Sequence, residues 1–294
     1  MTPEELAQLH SPKNWFPLET TLEAHDAAPP RPLRVPLTED GHGFRLVPLT
    51  LQHFRVGPFV LSLLSSGHVH DDEVEYDEAA CKDATGSILW PASTLVVGLL
   101  LATYGSGTSR SVLELGCGTG FCGLVARRLC ERVVLSDRSA VMRALAARNS
   151  AMQSLPVDAV EGYGWALGDP WPAKCGDFDL VLASDVLYTQ HERYEPDMLR
   201  RFAELVDWSL GSDGVAIIGH VERTHHGTSD LCAALSEREF VVTVLDAAEC
   251  VPPEIYGREG NFGLTRAVCL WCTRRRRGRT PKFTDFAERA SSSQ

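Results

Sequence analysis

From Ser111 onward the sequence alternates, almost without a break, between short apolar runs and longer segments with helical spacing. SVLEL, RVVLSD, FDLVLASD, GVAIIGHV, FVVTVLDA and RAVCLWCT read as strands, and VDAVEGYGW contains one more. FCGLVARRLC, SAVMRALAARNSAMQ, most of ERYEPDMLRRFAELVDWSL, and TSDLCAALSE read as helices. Apolar strands separated by amphipathic helices are the pattern of a parallel sheet covered on both faces. The end of the chain departs from it. The last two strands are joined by AECVPPEIYGREGNFGLT, which shows no clear helix, so an antiparallel pair is expected there. The fold class is therefore α/β, with a seven-stranded sheet and helices on both faces.

The N-terminal part is organised differently. FRLVPLTLQ and FVLSLL read as strands, and the turn residues of RVGP between them make a β-hairpin. HDDEVEYDEAACKD follows as an acidic loop, and then ILWPASTLVVGLLLATY as a helix with Pro91 in its first turn. The Pro-rich AAPPRPLRVP ahead of the hairpin is expected to be extended or disordered. Four parts result: a flexible extension over 1–41, hairpin and acidic loop over 42–89, the α/β domain over 90–273, and a basic, polar tail over 274–294.

Composition sets limits on partners. The nine cysteines are an odd number at irregular spacings, and no secretory segment precedes them, so reduced thiols in the cytosol or nucleus are expected. Cys269 and Cys272 form a C-x-x-C inside a strand, where residues three apart point to opposite faces, so no metal is placed there or elsewhere. The run LVVGLLLA is far too short to span a bilayer, and no membrane partner is expected. The net charge of −11 argues against bulk nucleic-acid binding and suits a basic protein partner. The acidic run Asp71, Asp72, Glu73, Glu75, Asp77, Glu78 could attract one. Arg274 to Arg277, Arg279 and Lys282 read as a solvated tail, with a nuclear-targeting or nucleic-acid-touching segment as the other reading.

The chemistry is concentrated in VLELGCGTGFCG, at the first strand–helix turn of the sheet. Ligands of such sheets lie at the carboxyl ends of the strands, and glycine loops there expose backbone N–H groups. From Gly118 the run matches the dinucleotide pattern G-x-G-x-x-G; from Glu114 it matches E-x-G-x-G-x-G, the pattern of S-adenosylmethionine binders. Glu114, an anion ahead of the glycines, is awkward beside a pyrophosphate and suits a ligand carrying an ammonium and a sulfonium. Asp137 ends the second strand, about 20 residues beyond the glycines, where a carboxylate can accept both ribose hydroxyls. Asp185 ends the fourth strand in ASDVLYTQ, beside the reacting end of the ligand, which suits chemistry on an amine.

At these positions the chain resembles the seven-β-strand methyltransferases, specifically methyltransferase family 16, over residues 42–273. LELGCGTG resembles the family's first motif and carries over Glu114, Gly116, Cys117, Gly118 and Gly120 as cofactor-binding residues. LSD places Asp137 at the ribose. ILWPAS makes Trp90 a wall of the cofactor pocket, and GYGW puts Trp165 next to the adenine. ASDVLY matches the D-x-x-Y signature, which implies catalytic roles for Asp185 and Tyr188 and a cofactor-lining role for Ser184. The resemblance implies a Rossmann-like sheet with strands ordered third, second, first, fourth, fifth, seventh, sixth, and the last strand antiparallel. It also implies an S-adenosylmethionine-dependent enzyme acting on a protein lysine. A histidine, small-amine or RNA acceptor, or a non-catalytic adaptor, are the alternatives. Ala166 stands where the family commonly has glycine.

Overall fold

The computed structural model describes residues 31–36, 44–56, 59–66, 85–104, 108–187, 197–222, 227–251 and 267–274. The strands are β1 Leu33–Pro36, β2 Phe44–Val47, β3 Thr50–Val56, β4 Phe59–Ser65, β5 Thr108–Leu115, β6 Cys130–Ser136, β7 Ala159–Glu161, β8 Phe178–Ser184, β9 Leu210–Val221, β10 Phe240–Asp246 and β11 Ala267–Arg274. The helices are α1 Ala92–Thr103, α2 Phe121–Ala126, α3 Ala140–Ala151, α4 Asp197–Ser209, α5 Thr228–Glu237 and α6 Ala247–Cys250.

Seven strands make one sheet in the order β10-β11-β9-β8-β5-β6-β7. β5, β6, β7, β8 and β9 are parallel, and β11 is antiparallel to both β9 and β10. Both the order and the reversed last strand agree with the expectation. Each central strand carries an apolar run because that part of it is buried on both faces. Leu180 and Leu182 of β8 and Ile217 of β9 point into one cluster, with α1 and α2. Val181, Ala183, Ala216 and Ile218 point into the other, with α4 and α5. Cys269 and Cys272 fall into opposite clusters, as their spacing requires. No described helix is long and apolar enough to cross a membrane.

The N-terminal strands form a further layer. β3 and β4 pair as the expected hairpin, with Val56 opposite Phe59 at its tip. Phe54, Val56, Leu61 and Leu63 from the hairpin join the same cluster as α1. The hairpin lies on α2, where the Phe54 and Phe121 rings meet with centroids 5.6 Å apart, while α1 packs on the sheet, α2 and α6; ten of its twelve residues are buried, which is why LVVGLLLA is apolar on every side rather than along a stripe. Asn149, fully buried on α3, holds the hairpin down. Its amide donates to the carbonyls of Leu64 and Thr119, and its oxygen accepts from the Leu64 N–H at 2.8 Å.

Some details differ from the sequence reading. FRLVPLTLQ is two strands, β2 and β3, interrupted at Pro48 and Leu49. β2 pairs with β1, a short strand inside the extension expected to be flexible. GSDG looks like a turn but belongs to β9, where a register shift between the β8–β9 pairs Phe178–Leu210 and Leu180–Val215 absorbs it as a bulge.

The domain boundary also moves. Arg274, assigned above to the solvated tail, is the last residue of β11 and pairs with Phe240. Its guanidinium bonds the Asp207 carboxylate and donates to the Leu210 carbonyl at 3.0 Å, and it lies over the Phe240 ring. An arginine ends this strand because the end of α4 and the start of β9 offer it an acid and carbonyls. Arg274→Ala is expected to cost about 1.5–3 kcal/mol, the range for hydrogen bonds to a charged group. A urea midpoint equal to that of the wild type would return Arg274 to the tail.

Candidate active site

The order of the sheet places a switch point between β5 and β8, where successive connections leave for opposite faces. The sequence-predicted residues converge there, at the carboxyl ends of β5, β6 and β8. After Leu115 the chain turns through Gly116, Gly118 and Gly120, all with positive φ (63°, 50° and 84°). Side chains are excluded as well as disfavoured. A Cβ on Gly118 would lie 2.5 Å from the Gly86 carbonyl oxygen, and one on Gly116 would lie 2.7 Å from Val186 Cγ1. Between them the buried Cys117 anchors the loop to β6, its N–H donating to the Ser136 carbonyl at 2.8 Å.

Two buried carboxylates hold this loop. Asp137 accepts from the Gly118 N–H at 3.0 Å with one oxygen and from the Ser139 N–H at 2.8 Å with the other. Burial pushes its pKa up, against the Ser139 and Gly118 N–H groups and the charges of Arg143 and Arg138. Each oxygen retains a lone pair, so the carboxylate can still accept from a diol.

Glu114 has a role the sequence reading missed. Its Oε2 accepts from the Gly123 N–H at 2.7 Å, the third amide of α2. The N-cap of α2 is Gly120, which has no side chain to offer, and the acid from β5 satisfies the helix end in its place. Burial raises its pKa to about 8, opposed by the bonds from Gly123 and Cys122.

The other walls come from three segments. Residues 85–92 cross the strand ends. Gly86 lies on Gly118, and the Ala92 carbonyl is 2.7 Å from where a Cβ on Gly219 of β9 would be. Trp90 stands between these contacts, its indole N–H donating to the Thr85 carbonyl at 2.9 Å. Trp165, after β7, is half-buried with its ring edge-on to Phe202, and its Cη2 lies 3.2 Å from the same Gly116 Cβ position.

Behind the loop, at the end of β8, Ser184 has a buried hydroxyl oxygen with no hydrogen-bond partner; it lies beside the Cys122 thiol. Asp185 is 3% exposed and takes φ 55°, with its N–H donating to the Gly219 carbonyl at 2.9 Å. An N-cap residue has β-region backbone angles, so this conformation is not that of a helix cap. A non-glycine residue held in this region is uncommon and clusters at functional sites.

The structure thus brings together Trp90, Glu114, Gly116, Cys117, Gly118, Gly120, Asp137, Trp165, Ser184 and Asp185. Tyr188 lies outside the described residues, as do the acidic run and the tail beyond Arg274. Val186, seated against Gly116, was not singled out, and an apolar residue inside a motif gives no signal of its own. The described residues contain no group of three or more His, Cys, Asp or Glu that could hold a metal ion. The site fits an adenosyl ligand. Its floor is built on three glycines, a two-oxygen acceptor stands at the end of β6, and the Trp165 indole lies beside Gly116.

A family model described as lysine methyltransferase matches residues 69–229. Protein-lysine methyltransferase METTL21E of Mus musculus is 32% identical over 129 residues, which cover 41% of this chain and 52% of that protein. Protein N-lysine methyltransferase METTL21A of Xenopus tropicalis is 29% identical over 142 residues, 46% of this chain and 61% of that one. Histone-arginine methyltransferase METTL23 of Xenopus laevis is 27% identical over 105 residues, 35% and 45% respectively. The chain spans about half the length of the first of these relatives.

Glu114 gives the site a pH signature. A carboxyl whose pKa is higher in the folded chain than in the unfolded one stabilises fully below its unfolded value, near 4.5, and that stability is lost as the pH rises through about 8. Asp137, also raised, acts in the same direction. The melting temperature of the unliganded protein is expected to fall across this interval. Glu114→Gln keeps an acceptor for Gly123 and cannot ionise, so it should flatten the slope. A profile as steep as the wild type, in melts across that pH range, would remove Glu114 as its source.

Proposed function

The chain belongs to the lysine methyltransferase family, and on that premise we propose that it transfers a methyl group from S-adenosylmethionine to a lysine of a protein. The observation that carries this reading is Asp185, a buried carboxylate in a left-handed turn at the end of β8, beside the glycine loop. Bound S-adenosylmethionine supplies an electrophilic methyl group on a sulfonium. The chain's own residues do the rest. Asp137 accepts the ribose hydroxyls, Trp165 and Trp90 wall the adenosyl group, and the bare turn from Gly116 to Gly120 allows backbone contact. Asp185 holds the acceptor ammonium at the methyl end. A free lysine has a pKa near 10.4, so it arrives charged and must lose a proton before its nitrogen can attack. A fixed carboxylate draws the ammonium in, aligns the nitrogen and assists that loss, so most of the rate comes from alignment.

The finer features belong to the same proposal. The acidic run between Asp71 and Glu78 supports an acceptor segment with basic residues around the target lysine. The eight cysteines among the described residues are free thiols, which supports residence in a reducing compartment, cytosol or nucleus.

Incubation with methyl-labelled S-adenosylmethionine and a protein extract tests the reading. A labelled band whose modified residue is lysine by mass spectrometry is expected; label on arginine or on RNA, or none at all, would refute it. Asp185→Asn should stay folded and bind the cofactor but transfer orders of magnitude more slowly, because asparagine accepts the left-handed backbone yet carries no charge. Turnover near the wild-type rate would remove Asp185 from the chemistry. Asp137→Ala should weaken cofactor binding by about 1.5–3 kcal/mol in calorimetry, and unchanged affinity would exclude the ribose contact.

A further inference from the structure

Of the buried residues in the turn after β8 to which the mechanism above gives no part, one meets the glycine loop. Val186 follows Asp185 and is 8% exposed. The left-handed angle at Asp185 sends the chain back toward β5, where Val186 meets the glycine loop. The space a side chain on Gly116 would need is taken on two sides, with Val186 Cγ1 at 2.7 Å and Cβ at 3.3 Å, and Trp165 Cη2 at 3.2 Å. Asp185 is thus fixed from both ends. Its own N–H is tied to Gly219 at 2.9 Å, and its successor fills, together with the indole proposed to cover the adenine, the space beside the first glycine of the loop. Val186 also belongs to the cluster beneath α4, so the lock is anchored in the core.

We propose that Val186 is a positioning residue for methyl transfer. Seated in the notch between Gly116 and Trp165, it sets the turn at Asp185 and so the placement of the Asp185 carboxylate relative to a methyl group presented above the glycine loop. The two halves of the site are then mechanically one: the surface that receives the cofactor also aims the group that receives the acceptor. The proposal rests on the function proposed above. A valine that only filled space would behave differently. Its truncation would lower stability and leave the rate per folded molecule unchanged.

The test uses the full chain, labelled S-adenosylmethionine and the extract band that the wild type labels, with single-turnover rates at saturating cofactor. Val186→Ala is expected to slow transfer by about tenfold or more while the protein stays folded by circular dichroism. Val186→Thr, which keeps the branched shape, should restore the rate to within about threefold of wild type. In an Asp185→Asn background Val186→Ala should add less than about twofold, because the group it aims is gone. A Val186→Ala rate within about twofold of wild type, or an equal slowing in both backgrounds, would overturn the proposal. If Val186→Ala does not fold, Val186→Cys replaces it with the same criteria. If Asp185→Asn leaves no measurable transfer, the contrast between alanine and threonine decides. A wild type that labels nothing refutes the function itself, whereas an active wild type with an equally active Val186→Ala refutes only the role of Val186.

Discussion

The turn after β5 is built on three glycines, and two buried carboxylates hold its backbone from outside. Asp137 reaches across from the end of β6 to the Gly118 and Ser139 amides, and Glu114 reaches forward to the Gly123 amide of α2. Both acids are nearly excluded from water, at 8% and 3% exposure. Burying carboxyls is costly, and backbone N–H groups that would otherwise be orphaned offset much of the cost. Three other segments can then approach the loop directly: Gly86 from the N-terminal side, Trp165 from beyond β7, and Val186 from beyond β8. Without the two acids there would be no fixed surface for them to meet.

The same economy of contacts explains the layer on the other face. α1 has no polar side and is covered by the sheet, α2 and α6, while the β3–β4 hairpin covers α2 and α3. Asn149 joins that cover to the glycine loop, since its amide serves Leu64 on the hairpin and Thr119 in the loop at once. Gln153, one turn further along, donates to the Ser62 carbonyl at 2.7 Å and continues the seam.

Much of this was legible in the sequence, for a physical reason. Double-sided burial writes itself as uninterrupted apolar runs, so β5, β6, β8, β9 and β11 stood out, and the glycines and acids fell at the turns between them. What escaped depended on partners distant in the chain. Nothing in the run TRRRRGR shows that Arg274 has an acid and carbonyls waiting at Asp207 and Leu210. Glu114 was read toward a ligand because its position before glycines suggests one, whereas its bond goes to an amide nine residues later, inside the protein. Pro48 was absorbed into one long strand because the apolar pattern continues across it, although a proline cannot donate to a ladder. Val186 carried no polar signature at all.

The Asn149 seam bears on where this protein can be cut. The family match begins at residue 69, after β4 has ended, so a fragment begun there would lack Leu64 and the whole hairpin. Asn149 would keep Thr119 as an acceptor but lose both of its bonds to Leu64, and Phe121 of α2 would lose the Phe54 ring that packs on it. The loss would register on hydrogen exchange as early opening around Thr119, in the glycine loop, rather than only at the new terminus. The stretch that matches the family and the stretch that folds together through the Asn149 seam are therefore not the same residues.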